Sequence, residues 1–278
     1  MVNVSFFGVR GSTPCPGPAN ARYGGNTACV AVERPGEPPI VLDLGTGLRQ
    51  FGETLPHDGS FRGAALVSHL HWDHVQGLPF FVPILRSGAR IDIYGPRPDD
   101  GRTLADAFAG FMRPPYFPVT VEQLPGDIYF HDLDGSVVDI CGARVMARSI
   151  PHVGLTNGYR IEWDGTSVAY LSDHQQPAED PFAISDSALE LCDGVDLLIH
   201  DAQYTVEEFA KKCDWGHCTI EYAIHVARTS GARRVVLFHH DPIHDDDTLD
   251  CLTHAAQRLA GPDLEVISAY EGLTISLG

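Results

Sequence analysis

Ser68-His69-Leu70-His71-Trp72-Asp73-His74 sets three imidazoles and a carboxylate within six consecutive residues. That density of titratable side chains has no rationale in a packed core. Neutral imidazole and carboxylate together suit zinc and neighbouring divalent ions. Just upstream, Gly63 to Val67 reads as a short buried strand, so His69 and His71 leave the strand end on one face. Asp73 and His74 follow where Val75 to Leu85 is predicted to open a helix, and the change of backbone direction aims them at a second point. One short loop can thus serve two metals.

Three later predicted strands end in the same residue types. Pro151-His152 follows Arg144 to Ile150, Ser172-Asp173-His174 follows Ser167 to Leu171, and His239-His240-Asp241 follows Val235 to Phe238. Strand ends hold polar groups rigidly while leaving them open to substrate, so the repetition points to one assembled site. The remaining pattern predicts strands at Val2 to Val9, Thr27 to Glu33, Ile40 to Leu44, Ile91 to Tyr94, Gly158 to Trp163, Leu197 to His200 and Leu264 to Ser268. Helices are predicted at Leu48 to Leu55, Thr103 to Phe111, Ser185 to Cys192, Thr219 to Ser230 and Leu249 to Leu259. Strands and helices that alternate without a long linker favour an α/β sandwich, and the two halves read as distant copies of a strand-rich unit.

Length and composition, with 278 residues of which 44% are hydrophobic, predict a single domain over residues 1–278 with a sizeable core. No apolar run approaches membrane-spanning length, and the opening Met1 to Arg10 lacks a basic stretch followed by a long apolar segment. We therefore expect no membrane association and a cytoplasmic location. Seven scattered cysteines form neither a zinc ribbon nor a disulfide framework, which agrees with a reducing compartment. Nineteen basic residues against 37 acidic ones give a net charge of −18. Binding to long nucleic acid draws on cations that displace phosphate counterions, so this balance predicts that a nucleic-acid polymer is not the substrate. A small anion stays compatible, because bound divalent cations reverse the local potential.

The motif at 69–74 resembles the His-x-His-x-Asp-His signature of the metallo-β-lactamase superfamily, without departure. The resemblance implies the αββα sandwich of that superfamily, with metals at one edge between two central sheets. It implies that His69, His71 and His152 bind one metal, that Asp73, His74 and His239 bind the other, and that Asp173 bridges them. His239 is preferred to His240 because its spacing from Val235 and Leu237 continues one face of the strand. His240 and His174 are expected behind the ligands, His244 and His254 on the surface, and Asp43 as a loop anchor. Leu198-Ile199-His200-Asp201-Ala202-Gln203-Tyr204 and Gly216-His217-Cys218-Thr219 resemble segments of the branch containing ribonuclease Z and the cyclic phosphodiesterases. Cys218 stands where that branch carries serine. Members are often dimers, so the resemblance leaves a homodimer open, while the sequence itself does not determine the oligomeric state.

Two divalent ions about 3.5–4 Å apart can share a water and lower its pKa towards neutrality. The expected nucleophile is metal-bound hydroxide. His217 is the expected proton donor to the leaving group, with Asp201 orienting its ring, and Asp73 completes the expected catalytic set. Zinc is the default metal, with manganese or iron also suited to the ligands. The leading substrate class is a small or cyclic phosphodiester. A carboxylic ester, thioester or lactone is the competing enzyme reading, and a metal-bound sensor or binding protein the non-enzymatic one. Phe111 to Pro118 can form an aromatic lid, with Arg113 reaching a phosphate, or pack on the sandwich surface.

Overall fold

A computed structural model describes Met1 to Gly278. Its strands are β1 (Val2–Gly8), β2 (Cys29–Glu33), β3 (Ile40–Leu42), β4 (Arg62–Leu66), β5 (Arg90–Gly95), β6 (Asp127–Asp132), β7 (Val137–Ile140), β8 (Ala143–Ser149), β9 (Asn157–Trp163), β10 (Thr166–Leu171), β11 (Leu197–Asp201), β12 (Arg234–Phe238), β13 (Glu265–Ser268) and β14 (Thr274–Leu277). The helices are α1 (Gly47–Glu53), α2 (Trp72–Val75), α3 (Leu104–Phe111), α4 (Asp186–Cys192), α5 (Val206–Lys212), α6 (Ile220–Ser230) and α7 (Asp246–Ala260). No helix is long and apolar enough to cross a membrane.

The strands form two seven-stranded sheets, ordered β14-β1-β2-β3-β4-β5-β6 and β7-β8-β9-β10-β11-β12-β13. Read in those directions, each sheet makes three antiparallel pairings and then three parallel ones. The two halves of the chain therefore repeat one topology, with β14 returning to complete the first sheet. The end of β3 corresponds to the end of β10, and that of β4 to that of β11.

Side-chain alternation along each strand builds the layers. Ile40, Leu42 and Leu66 of the first sheet face Tyr170, Ile199 and Phe238 of the second across a common core. The opposite faces are equally apolar, as buried strands require. Val41 and Ala65 pack under Phe51 of α1 and Phe108 of α3, while Leu198, Val235 and Leu237 pack under α6 and α7. The result is the expected αββα sandwich. Glycine at the end of α6 adopts φ 69°, the left-handed stop that ends the helix before β12.

The structure differs from the sequence expectation in five places. Val75 to Leu85 is not one helix: α2 ends at Val75, and 3₁₀ turns cover Leu78–Phe80 and Val82–Leu85. Pro79 and Pro83 lack the N–H a continuous helix needs, so only short turns survive. The edge strands β6, β7 and β14 carry little strand signal in the sequence, because each exposes half of its residues and mixes polar side chains into its pattern. Helix α5 buries no residue and so has no apolar stripe; its one legible signal is the capping box between Thr205 and Glu208.

Phe238 sits fully buried where the two sheets meet, with its ring 6.1 Å from Phe6 and 5.7 Å from Tyr170. Phe238→Ala should cost about 3–5 kcal/mol of stability, seen as a lowered urea midpoint with secondary structure retained at zero denaturant.

Candidate metal centre

The loop after β4 is fastened to both sheets before its histidines begin. Tyr159 of β9 donates its hydroxyl to the Val67 carbonyl at 2.6 Å, and the Asn157 amide donates to the Ser68 carbonyl at 2.8 Å. Asp43, at the end of β3 with φ 59°, is fully buried. It accepts from the Ser68 amide (2.6 Å), the Ser68 hydroxyl (2.8 Å), His74 Nδ1 (2.7 Å) and the Tyr170 hydroxyl of β10 (2.7 Å). The residue expected as a loop anchor is one, and it also aims the His74 ring.

All seven ligand candidates converge at the edge between the sheets. His69, His71 and His152 form one group and Asp73, His74 and His239 another, their nitrogen and oxygen atoms within 4.8 Å of one another in each. Asp173 lies between the groups. Its Oδ1 is 3.8 Å from both His69 Nε2 and His152 Nε2, and its Oδ2 is 3.2 Å from His74 Nε2 and 3.5 Å from His239 Nε2.

The hydrogen bonds at the far side of each ring decide which nitrogens face inward. His74 Nδ1 donates to Asp43, His239 Nδ1 donates to Gln203 Oε1 at 2.9 Å, and His152 Nδ1 donates to the Gly216 carbonyl at 2.7 Å. In the neutral ring each Nε2 is then a bare lone pair. Those of His74 and His239 face each other at 3.2 Å, and His239 Nε2 also meets Asp73 Oδ2 at 3.1 Å. In the other group, His152 Nε2 faces His71 Nδ1 at 3.4 Å, and the buried His69 Nε2 has no hydrogen-bond partner. Acceptors that converge without donors repel one another unless a cation lies among them, so the residues fit a pair of divalent ions.

Two glycines permit this approach. A Cβ on Gly216, whose φ is 93°, would enter the His152 ring, and one on Gly11 would enter the His239 ring. His239 itself has φ 61°, so the strand's alternation stops before it. The spacing argument for His239 therefore fails even though the residue reaches the cluster. Val235 and Leu237 face the helices, and the left-handed residue turns the ring to the sheet edge instead. His240 points away and meets the Ala269 carbonyl at 3.0 Å; burial lowers its pKa to about 3.

His217 lines the cleft over the cluster, which has a volume of about 680 Å³. Its Nδ1 donates to Asp201 Oδ2 at 2.7 Å, leaving Nε2 as the free nitrogen. Burial disfavours the imidazolium, but the buried Asp201 carboxylate outweighs it and raises the His217 pKa above its ordinary value. Asp201 is held in turn by the Gln203 amide (3.0 Å) and the Cys218 amide (3.3 Å). Cys218 is buried with Sγ 3.0 Å from the Asp201 carbonyl, and all seven cysteines are free.

His174 stays behind the centre, its Nδ1 2.9 Å from His200 Nε2. His244, expected on the surface, is buried against Glu208 at 2.9 Å, because α5 covers it. The segment Phe111 to Pro118 is not a lid over the cleft: Met112 is buried, Phe117 packs edge-on to Phe80, and Arg113 is exposed. It walls an adjoining groove that shares Trp72 with the cleft. The sequence assigns no role to Gln203 or to the Ser12 amide, which donates to Asp73 Oδ2 at 2.7 Å.

The model of the Beta-lactamase superfamily domain matches residues 40–240, a span that includes all seven cluster residues. The chain belongs to the metallo-β-lactamase superfamily. Ribonuclease Z of Myxococcus xanthus is 27% identical over 259 residues, covering 77% of this chain and 80% of that protein. Among solved structures, the metallo-β-lactamase fold protein YhfI of Bacillus subtilis aligns with a TM-score of 0.74 at 17% identity over 99% of this chain and 98% of its own. Human tRNase Z, short form, aligns with a TM-score of 0.70 at 24% identity over 99% of both chains. These likenesses share the sandwich, and superfamily membership agrees with the capacity of the His and Asp groups to hold divalent metals.

The relatives correct the expectation drawn from net charge. A ribonuclease acts on a nucleic-acid polymer, and such relatives match most of this chain, so the exclusion of polymers does not stand. Net charge sums the whole surface, whereas a phosphate meets the local field. Arg97 lines a pocket next to the cleft together with His69 and His71, and bound divalent ions would add further positive charge.

Asp43→Asn keeps the size of the side chain but loses the carboxylate that orients His74. Metal affinity should fall about 10- to 100-fold, measured by competition against a chromogenic chelator, with the fold retained by circular dichroism.

Proposed function

We propose that this metal-dependent hydrolase cleaves phosphodiester bonds. In this reading His69, His71 and His152 hold one divalent cation, Asp73, His74 and His239 hold a second, and Asp173 spans the two. Zinc is the proposed metal, from the imidazole-rich donor set. When bound, such a pair supplies Lewis acidity and brings a water to a pKa near neutrality.

The chain's own residues do the rest. Asp43, Gln203 and the Gly216 carbonyl hold three imidazoles in the tautomer that presents a bare nitrogen. Asp201 holds His217 by Nδ1, so that a proton on Nε2 faces the cleft and can pass to a departing alkoxide. The buried Asp201 carboxylate favours the imidazolium that this task needs. The observation that carries the proposal is the placement of His217 on the cleft wall beside Asp173, its Nδ1 3.7 Å from Asp173 Oδ1, with the buried Asp201 behind it. A pure binding site has no use for a proton donor there. The relatives named ribonuclease Z favour phosphorus over acyl carbon as the electrophile.

Metal-loaded protein should turn over bis(p-nitrophenyl) phosphate and lose that activity to chelator, with two metals per chain by elemental analysis. p-Nitrophenyl acetate, a lactone and an RNA with a 3′ extension are the comparison substrates. Turnover of acetate or lactone alone would replace the phosphodiester reading with an acyl one, and the RNA shows whether a polymer is accepted. His217→Ala should keep both metals and lose about 10²–10⁴ in kcat on the diester; unchanged turnover would remove His217 from its role.

A further inference from the structure

The exposed tryptophans of this chain are gathered at the cleft. Of three tryptophans, Trp163 is 2% exposed in the inter-sheet core, whereas Trp72 is 73% and Trp215 is 61% exposed, and both line the cleft that His217 lines. Burying a tryptophan is favourable, so two solvent-facing indoles at one polar cleft are costly unless something covers them in use. Each is tied to the chemistry by its place in the chain. Trp72 stands between His71 and Asp73 of the metal cluster, and Trp215 is two residues before His217.

Their supports come from the two halves of the sandwich. Trp72 opens α2, whose backbone is fixed by the His74 amide on the His71 carbonyl and the Gln76 amide on its own carbonyl. Trp215 follows α5, with its amide on the Lys212 carbonyl at 3.0 Å and the Lys212 ammonium 5.6 Å from its ring. Lys212 is itself held by Asp241 at 3.0 Å. On its far side Trp72 also walls a groove of about 500 Å³ that includes Tyr116 and Phe117. The aromatic surface is thus continuous with the cleft.

We infer that Trp72 and Trp215 are stacking platforms that select a phosphodiester bearing a planar ring, with a nucleobase as the fitting class. This rests on the phosphodiester reading above and adds the feature by which the site discriminates among such esters. A flat, weakly polar ring gains contact on an indole face, while the phosphate stays with the charged centre. An alkyl diester reaches the same centre without that contact.

Two measurements test the inference. Thymidine 5′-p-nitrophenyl phosphate and methyl p-nitrophenyl phosphate share a leaving group and differ in the nucleoside. The ratio of their kcat/KM values should fall about 5- to 100-fold in Trp72→Leu or Trp215→Leu, the range expected for one stacked base, and recover in the Trp→Phe variants. An unchanged ratio in both leucine variants overturns the inference, even if both diesters are cleaved and the phosphodiester reading stands. The second readout needs no turnover: in chelator-treated protein, uridine 5′-monophosphate or a five-residue oligouridylate should quench tryptophan fluorescence well below the concentration at which ribose 5-phosphate does. Whichever nucleotide quenches at the lower concentration identifies the source of the base. Equal quenching by ribose 5-phosphate overturns the inference, whereas nucleotide-selective quenching in a protein that cleaves no diester keeps the platform and removes the phosphodiesterase.

Discussion

A single buried carboxylate organises this molecule's working edge. Asp43 lies at zero exposure in the first half of the chain, yet its four hydrogen-bond donors include one from the second sheet, the Tyr170 hydroxyl. A carboxylate removed from water is tolerated only when its lone pairs are filled, so the four donors are obligatory rather than decorative. Filling them fixes the start of the metal loop through Ser68, the orientation of His74 and the separation of the two sheets at once. Its left-handed backbone, φ 59°, is the strain accepted to bring the carboxylate there.

The cluster that Asp43 supports is electrostatically incomplete by itself. Bare imidazole nitrogens lie 3.2–3.4 Å apart and face carboxylate oxygens, with their protons turned outward to Asp43, Gln203 and Gly216. Such an arrangement ties ion binding to the stability of the edge, because ions held only by the folded state stabilise it by mass action. The same outward bonds explain why residues that never reach the centre govern it.

Topology explains where the side chains come from. Because both sheets run three antiparallel pairings into three parallel ones, the parallel strands deliver their ends to a shared edge. The first half supplies the dense loop after β4. The second half supplies single residues after β8, β10, β11 and β12, and with them the His217–Asp201 pair. Substrate thus meets a centre assembled from both halves, flanked by an indole from each.

The fold class and the ligand cluster were legible because both rest on local patterns. Alternating apolar residues mark a strand wherever it packs, and no core accommodates His69, His71, Asp73 and His74 together for packing reasons. Edge strands β6, β7 and β14 are not legible, since half-exposed segments carry little apolar signal, and Pro79 and Pro83 break the helix that the apolar run from Val75 to Leu85 predicts. His239 shows the limit most clearly: the residue was named, but the periodicity invoked for it points its neighbours at the helices. By itself the sequence determined the layered architecture and the donor chemistry, which follow from residue type and spacing. Only the tertiary structure decided which nitrogen of each ring faces inward, what Asp43 does and how the tryptophans stand. Those depend on hydrogen bonds and backbone turns between residues far apart in the chain.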